Sequence, residues 1–400
     1  MMQLGLEHAL ENAPAPLAQG ARFALLMNQA SVDASFQHAH RLLARRFPGQ
    51  LAALFGPQHG LWSEQQDNMI ETGHGFDPEL EVPVYSLYAE QRAPRPEMLE
   101  GLDLFIIDLQ DVGCRVYTYV WTLLLCMRAC AKAGVPVLVL DRPNPVGSLV
   151  EGPVLEPGFE SFVGLWSIPM RHGLSLGELA RLLAAEDQLD LDLQVVACQG
   201  WHREQRWQEL GRPWVPSSPN LPRNEGVEIY PGMVLFEGTQ LSEGRGTTTP
   251  FEILGAPGLD PRAWLQELAP FAEACAGAAL RPIRFEPTFQ KHAKQSCSGL
   301  FVHSLDRERI RPYALALALI GSAKLALGED FAWLPPPYEY EEEIMPFDIL
   351  TGSSAAREAI DIGLNPETLA GLTQVAVAGW RERCTAQLLY PGDLRSSHQS

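Results

Sequence analysis

The chain has 400 residues, 46% hydrophobic and 20% charged, proportions of an ordinary globular protein that can bury a full core. Its 30 Lys and Arg against 49 Asp and Glu leave a formal charge of −19, which repels phosphate backbones and anionic lipid surfaces and argues against nucleic acid or membrane as partners. The length exceeds the usual size of a single core, so two domains are expected.

The opening residues lack a basic stretch followed by an apolar one, and no later segment approaches about 18 uninterrupted apolar residues, so a cytoplasmic protein is expected. In chain order, "RFALLMN" reads as a buried strand and "ASFQHAHRLLARRF" as a helix. "QLAALFG" and "VPVYSLY" read as strands, "RPEMLEGL" as a short helix, "DLFIIDL" as a strand, "VYTYVWTLLLCMRACAKAG" as a long helix and "VPVLVLD" as another strand. "SLGELARLLAAED" and "LDLQVVAC" extend the alternation by one helix and one strand. This order predicts an α/β fold, a Rossmann-like parallel sheet covered on both faces.

From about Gly200 the texture turns to Pro, Gly and Trp, a crossing into a smaller α+β domain; the division is placed at 1–225 and 226–400. In the second part "DPRAWLQELA" and "IRPYALALALIGSAKLAL" read as helices, and "IRFEPTF" and "SGLFVHSL" as strands. "PPPYEYEEEIMPF" reads as a solvated loop, and the tail "LRSSHQS" as frayed. The seven cysteines lack metal-ligand spacing, which predicts a reducing compartment and no structural metal. "NQASVD" after the first strand is not a dinucleotide fingerprint, and no phosphate-cradling GxxxxGK[ST] occurs, which weakens a nucleotide-dependent transferase or dehydrogenase.

Open parallel sheets bind ligands beyond the carboxyl ends of their strands. Asn28 follows the first apolar run, Gln58 and His59 the second; Asp108, Gln110, Asp111 and Arg115 end or follow the next, and Asp141, Arg142 and Asn144 the last. Such a rim suits sugar hydroxyls or a carboxylate, although a single polar residue after a strand is more often a cap or a turn than a site. Further candidates are Arg171 and His172 in "RHG", Glu151 beside a Gly-Pro turn, and Glu237, Glu243 and Arg245 in the glycine-rich "FEGTQLSEGRG".

Read together, "LFGPQHG", "DLQDVGCRVYTY", "LDRPNPVG", "VEGPVLEP", "MRHGLSLGELA", "SPNLP" and "YPGMVLFEGTQLSEGRGTTTPFEILGAP" resemble the DUF1343 family, the exo-β-N-acetylmuramidases called NamZ. The resemblance runs from about Asn28 into the C-terminal region. It implies a cleft between a Rossmann-like domain and a smaller C-terminal one, release of terminal N-acetylmuramic acid from peptidoglycan fragments, and neither metal nor organic cofactor. Arg115, Arg142, Arg171 and Arg245 become candidates to grip the lactyl carboxylate of such a glycan.

The family pattern reads GPEHG where this chain has Gln58, and an amide cannot cycle a proton near neutral pH. Glu64, Asp67 or Glu71 in the same loop could take over; the family glutamate could only position substrate while Asp111, Glu151 or Glu243 act; or the chain binds sugars without efficient cleavage. The catalytic candidates are therefore Glu64, Asp111, Glu151 and Glu243. The substrate-binding candidates are Asn28, Gln58, His59, Asp67, Asp108, Gln110, Arg115, Tyr117, Asp141, Arg142, Asn144, Arg171, His172, Asn220 and Arg245.

Overall fold

The computed structural model describes residues 2–66, 71, 73–374 and 377–396. Its strands are β1 (Phe23–Met27), β2 (Leu51–Gly56), β3 (Gly75–Asp77), β4 (Val82–Ser86), β5 (Leu104–Asp108), β6 (Val137–Leu140), β7 (Leu149–Val154), β8 (Pro169–Arg171), β9 (Leu193–Val196), β10 (Ile253–Ala256), β11 (Ala278–Phe285), β12 (Cys297–Ser304) and β13 (Arg395–Ser396). Seven of them form one sheet in the order β3-β4-β2-β1-β5-β6-β9, parallel throughout except for the antiparallel edge strand β3.

The apolar runs alternate between the two faces of this sheet, as a doubly covered strand must. Phe23, Leu25 and Met27 pack with Ala39, Leu42 and Leu43 of the helix Ala39–Arg46, while Ala24 and Leu26 join the cluster of Trp121 and Leu124 from the helix Tyr119–Ala133. The helix expected over 34–47 is confined to its second half, because Asp33 Oδ1 accepts from the amides of Ser35 and Gln37 and holds that segment in a turn. Ser175 and Glu178 form a capping box at the start of the helix Leu176–Glu186, worth about 1 kcal/mol.

The second part is α+β, with the antiparallel sheet β10-β12-β11 and the helices Asn224–Met233, Pro261–Leu268 and Pro312–Leu327. One apolar cluster runs from Leu26 and Trp121 through Tyr230 and Phe236 to Leu317, so the two parts share a core. Gly232 lets the helices Asn224–Met233 and Pro312–Leu327 touch, since a Cβ there would stand 1.8 Å from Pro312 O. The tail is ordered further than expected: Leu394 is buried and β13 pairs with β7, while 397–400 lie outside the described residues. Among the described residues no helix is long and apolar enough to cross a membrane, and no group of three His, Cys, Asp or Glu is placed to hold a metal.

Candidate active site

A cavity opens where the loop after β2 meets the second part of the chain. Its lining includes Gln58, His59, Tyr117, Thr118, Glu237, Arg245, Tyr338 and Glu339. His59 is left-handed at φ 71°, which costs a non-glycine residue about 1–2 kcal/mol and marks a loop held in place by its surroundings.

Glu237 arrives on the 3₁₀ turn Val234–Gly238 that continues the helix Asn224–Met233. The turn is pressed against the helix Pro346–Thr351, where a Cβ on Gly238 would meet Phe347 Cα at 2.6 Å. Glu339 sits at the tip of a two-residue hairpin loop closed by mutual Tyr338 and Glu341 backbone bonds of 2.9 Å. Both central residues, Glu339 (φ 46°) and Tyr340 (φ 69°), are left-handed, as a type I′ turn demands and as neither residue prefers. This corrects the expectation of a solvated loop over "PPPYEYEEEIMPF": the turn drives Tyr338 and Glu339 inward, and both are buried.

The two carboxyl groups have different surroundings. Burial, reinforced by the charge of Glu237, pushes the Glu339 carboxyl up to about 7. It stays hydrogen-bonded all the same, with Oε1 3.3 Å from Gln58 Nε2 and Oε2 accepting from Tyr88 OH at 2.9 Å. Thr118 Oγ1 donates to Gln58 Oε1 at 2.7 Å and so turns the amide N–H toward Glu339. Glu237 is salt-bridged to Arg245 Nη2 at 2.7 Å and accepts from Tyr338 OH at 2.6 Å.

Glu243 lies behind Arg245, 2.9 Å from its Nη1 and 2.9 Å from Lys291 Nζ. Burial opposes its ionisation, but the two cations outweigh it and hold the carboxyl at about 2. His59 Nδ1 lies 2.7 Å from the carbonyl of Gln65, an acceptor only, so Nδ1 carries the proton and Nε2 takes the Ser218 hydroxyl at 3.2 Å. Burial pulls this imidazole down to about 4, despite the Gln65 bond and with help from Arg245, so it is neutral at physiological pH.

Of the residues singled out in the sequence, Gln58, His59, Tyr117, Glu237 and Arg245 line this cavity. The other described candidates do not line it. Glu64 is exposed, in an open hollow with Trp62 and Phe76. Asp111 accepts from Gly113 N at 2.6 Å, with His172 Nε2 at 3.6 Å, both buried away from the cavity. Glu151 caps the helix Pro312–Leu327, its Oε1 taking the amides of Tyr313 and Ala314 at 3.0 and 3.1 Å; burial raises its carboxyl to about 7. Glu243, just described, reaches the cavity only through Arg245.

The expected rim is satisfied within itself. Arg142 grips Asp108 with two bonds of 2.5 and 2.8 Å at the switch point between β1 and β5. A second cavity opens beside this pair, but Arg142 and Arg212 on its wall are committed to Asp108 and Glu7. Asn28 donates to Tyr119 OH and Ser217 O, Gln110 to Asp111 O and Pro143 O, Asn144 to Leu174 O, and Asn220 to Gln66 O. Asp141 takes Ser175, Gly177 and Tyr390. Arg115 donates to four backbone carbonyls, Pro153, Ile168, Leu350 and Thr351, and Arg171 to Val146 O. Asp67 lies outside the described residues.

Glu339, Tyr338, Tyr88 and Thr118 are not among the residues the sequence pattern singles out, and Glu237 appears there only as one candidate of the glycine-rich loop. The paired aromatic and acidic residues of "YEYE" were the available signal: aromatic rings beside acids suit a sheltered wall better than a solvated loop.

The model described as exo-beta-N-acetylmuramidase NamZ, N-terminal, matches residues 23–225, and its C-terminal companion matches 228–390. The peptidoglycan beta-N-acetylmuramidase NamZ of Bacillus subtilis (strain 168) is 38% identical over 369 residues, 92% of this chain and 86% of that protein. Two crystal structures of DUF1343 family proteins from Bacteroides fragilis are similar throughout. One has a TM-score of 0.85 at 29% identity, covering 98% of this chain and 99% of that one. The other has a TM-score of 0.74 at 26% identity, covering 98% and 100%.

Proposed function

The chain belongs to the exo-β-N-acetylmuramidase NamZ family, and from that premise we propose how its cavity works. The protein is a glycosidase that releases terminal N-acetylmuramic acid from peptidoglycan fragments. Glycoside hydrolysis needs one carboxyl group that still holds a proton and a second that acts as nucleophile or base. Glu339, held up to about 7 by burial and by Glu237, is the acid that protonates the departing glycosidic oxygen. Glu237, anchored by Arg245 and Tyr338, is the second carboxylate.

This pair in one cavity is the observation that carries the assignment, and it relieves Gln58 of any proton transfer. Gln58 orients Glu339 instead, with Thr118 fixing its amide. Glu243 and Lys291 are positioning residues that act through Arg245. We divide the chain near residue 225, where the Pro-rich segment gives way to the helix Asn224–Met233. All seven cysteines are unpaired, which supports a reducing compartment and hence recycled wall fragments as the substrate source. No observation favours a non-catalytic sugar-binding protein.

The test is turnover of a chromogenic β-N-acetylmuramide beside the matching N-acetylglucosaminide, with Glu339→Gln and Glu237→Gln as controls. Release from the muramide by the wild type and its loss in Glu237→Gln is expected, whereas Glu339→Gln should lose release of a sugar aglycone and far less of a chromogenic one. Undiminished release of a sugar aglycone by either variant would overturn its assignment, and no release by folded wild type would overturn the reaction.

A further inference from the structure

Of the arginines expected from the sequence, Arg115, Arg142 and Arg171 do not line the cavity, and Arg245, which does, is held by two carboxylates. Arg115 and Arg171 donate to backbone carbonyls, Arg142 is spent on Asp108, and Arg245 lies between Glu237 and Glu243. Lys291 reaches Glu243 and the carbonyls of Phe236 and Leu241. A different cation stands beside the acid. Arg92 Cζ lies 4.0 Å from the ring centre of Tyr340, 4.4 Å from that of Tyr88 and 5.7 Å from that of Phe162. Tyr88 is the residue whose hydroxyl reaches Glu339 Oε2, and Arg92 is near enough to lower the Glu339 carboxyl by its charge.

The donors of Arg92 are lightly used. Nη1 donates to Ala89 O, Nε is buried with no partner among the described residues, and Glu71 Oε1 is 3.9 Å from Nη2, beyond hydrogen-bond reach. A guanidinium resting on aromatic rings keeps its N–H groups at its edge, where they match the two oxygens of a carboxylate. Arg92 keeps 17% of its side-chain surface exposed, and Tyr340 beside it is 49% exposed.

We propose that Arg92, stacked on Tyr88 and Tyr340, binds the lactyl carboxylate of the muramic acid unit and so separates it from N-acetylglucosamine, which lacks that group. The assignment rests on the reading of the cavity as the site of muramide hydrolysis. It makes Arg92 a specificity residue, contributing to binding more than to bond cleavage.

The test combines binding with turnover. Calorimetry with free N-acetylmuramic acid and free N-acetylglucosamine needs no hydrolysis, and the two chromogenic glycosides give kcat and KM. Arg92→Gln is expected to raise Kd for N-acetylmuramic acid and KM for the muramide about 10- to 100-fold, the loss of a charged two-point contact, and to leave N-acetylglucosamine within about twofold. Arg92→Lys, which keeps the charge and not the fork, should recover part of the loss and shows that the fold tolerates the site. Equal weakening of both sugars, or no weakening, would overturn the proposal, as would a wild type that binds both sugars alike. A wild type that prefers N-acetylmuramic acid through Arg92 yet cleaves neither glycoside would sink the hydrolytic reading and leave the Arg92 assignment standing.

Discussion

Replacing Glu339 by Gln removes one proton site and keeps the shape, so Tyr88 and Gln58 retain a partner. A carboxyl displaced from 4.5 to about 7 corresponds, at about 1.4 kcal/mol per pH unit, to about 3 kcal/mol between its protonated and ionised forms. The folded value lies above the unfolded one, so the contribution is full below pH 4.5 and is lost as pH rises through about 7. The glutamine cannot ionise and escapes that loss. Denaturant unfolding at pH 5 and pH 8 should therefore show the wild type losing up to about 3 kcal/mol more than Glu339→Gln across the interval. Hydrolysis should respond in the opposite sense. The variant should lose about 10²- to 10⁴-fold in kcat on a sugar aglycone, and far less on a nitrophenyl aglycone that departs without a proton. Wild-type kcat/KM on the sugar aglycone should fall above pH about 7. A variant that keeps this alkaline fall, or cleaves a disaccharide at the wild-type rate, would refute the assignment.

Glu237→Gln should lower turnover of good and poor leaving groups alike, by about 10²- to 10⁴-fold, and this indifference to the aglycone separates it from Glu339. Gln58→Glu places a second carboxyl 3.3 Å from Glu339 Oε1, so the pair should share a proton and move the alkaline limb upward by about one pH unit. An unchanged pH profile would show that the two side chains do not meet in solution. Glu151→Ala strips two amides of their acceptor and should cost about 1–3 kcal/mol in chemical denaturation with kcat retained. A collapse of kcat without loss of stability would make Glu151 a catalytic group.

The sheet was legible because its apolar runs are short, continuous and regularly separated, and Phe23–Met27 and Leu104–Asp108 appear where those runs lie. Position along the chain also led to Gln58 and His59, which stand at a strand end and line the cavity. It failed for Asp108, Arg142 and Asp141 because a polar residue after a strand can turn toward the cleft or toward its neighbours. Here a bidentate ion pair and a helix start claim those side chains. Glu339 was invisible for a different reason: its role depends on a turn with two left-handed residues that carry no glycine signal, and on partners more than 250 positions away.

That distance bears on where the chemistry can exist at all. Gln58 and Tyr88 come from the first part of the chain and Glu339 from the second, and the acid keeps a sizeable protonated fraction at neutral pH only while both enclose it. In a clipped or half-folded chain Glu339 would meet water and return to the ordinary carboxylate range, surrendering the proton before any sugar arrived. Neither fragment would retain a working acid. The reaction is thus interlocked with completed folding, and damaged copies become inert instead of indiscriminate.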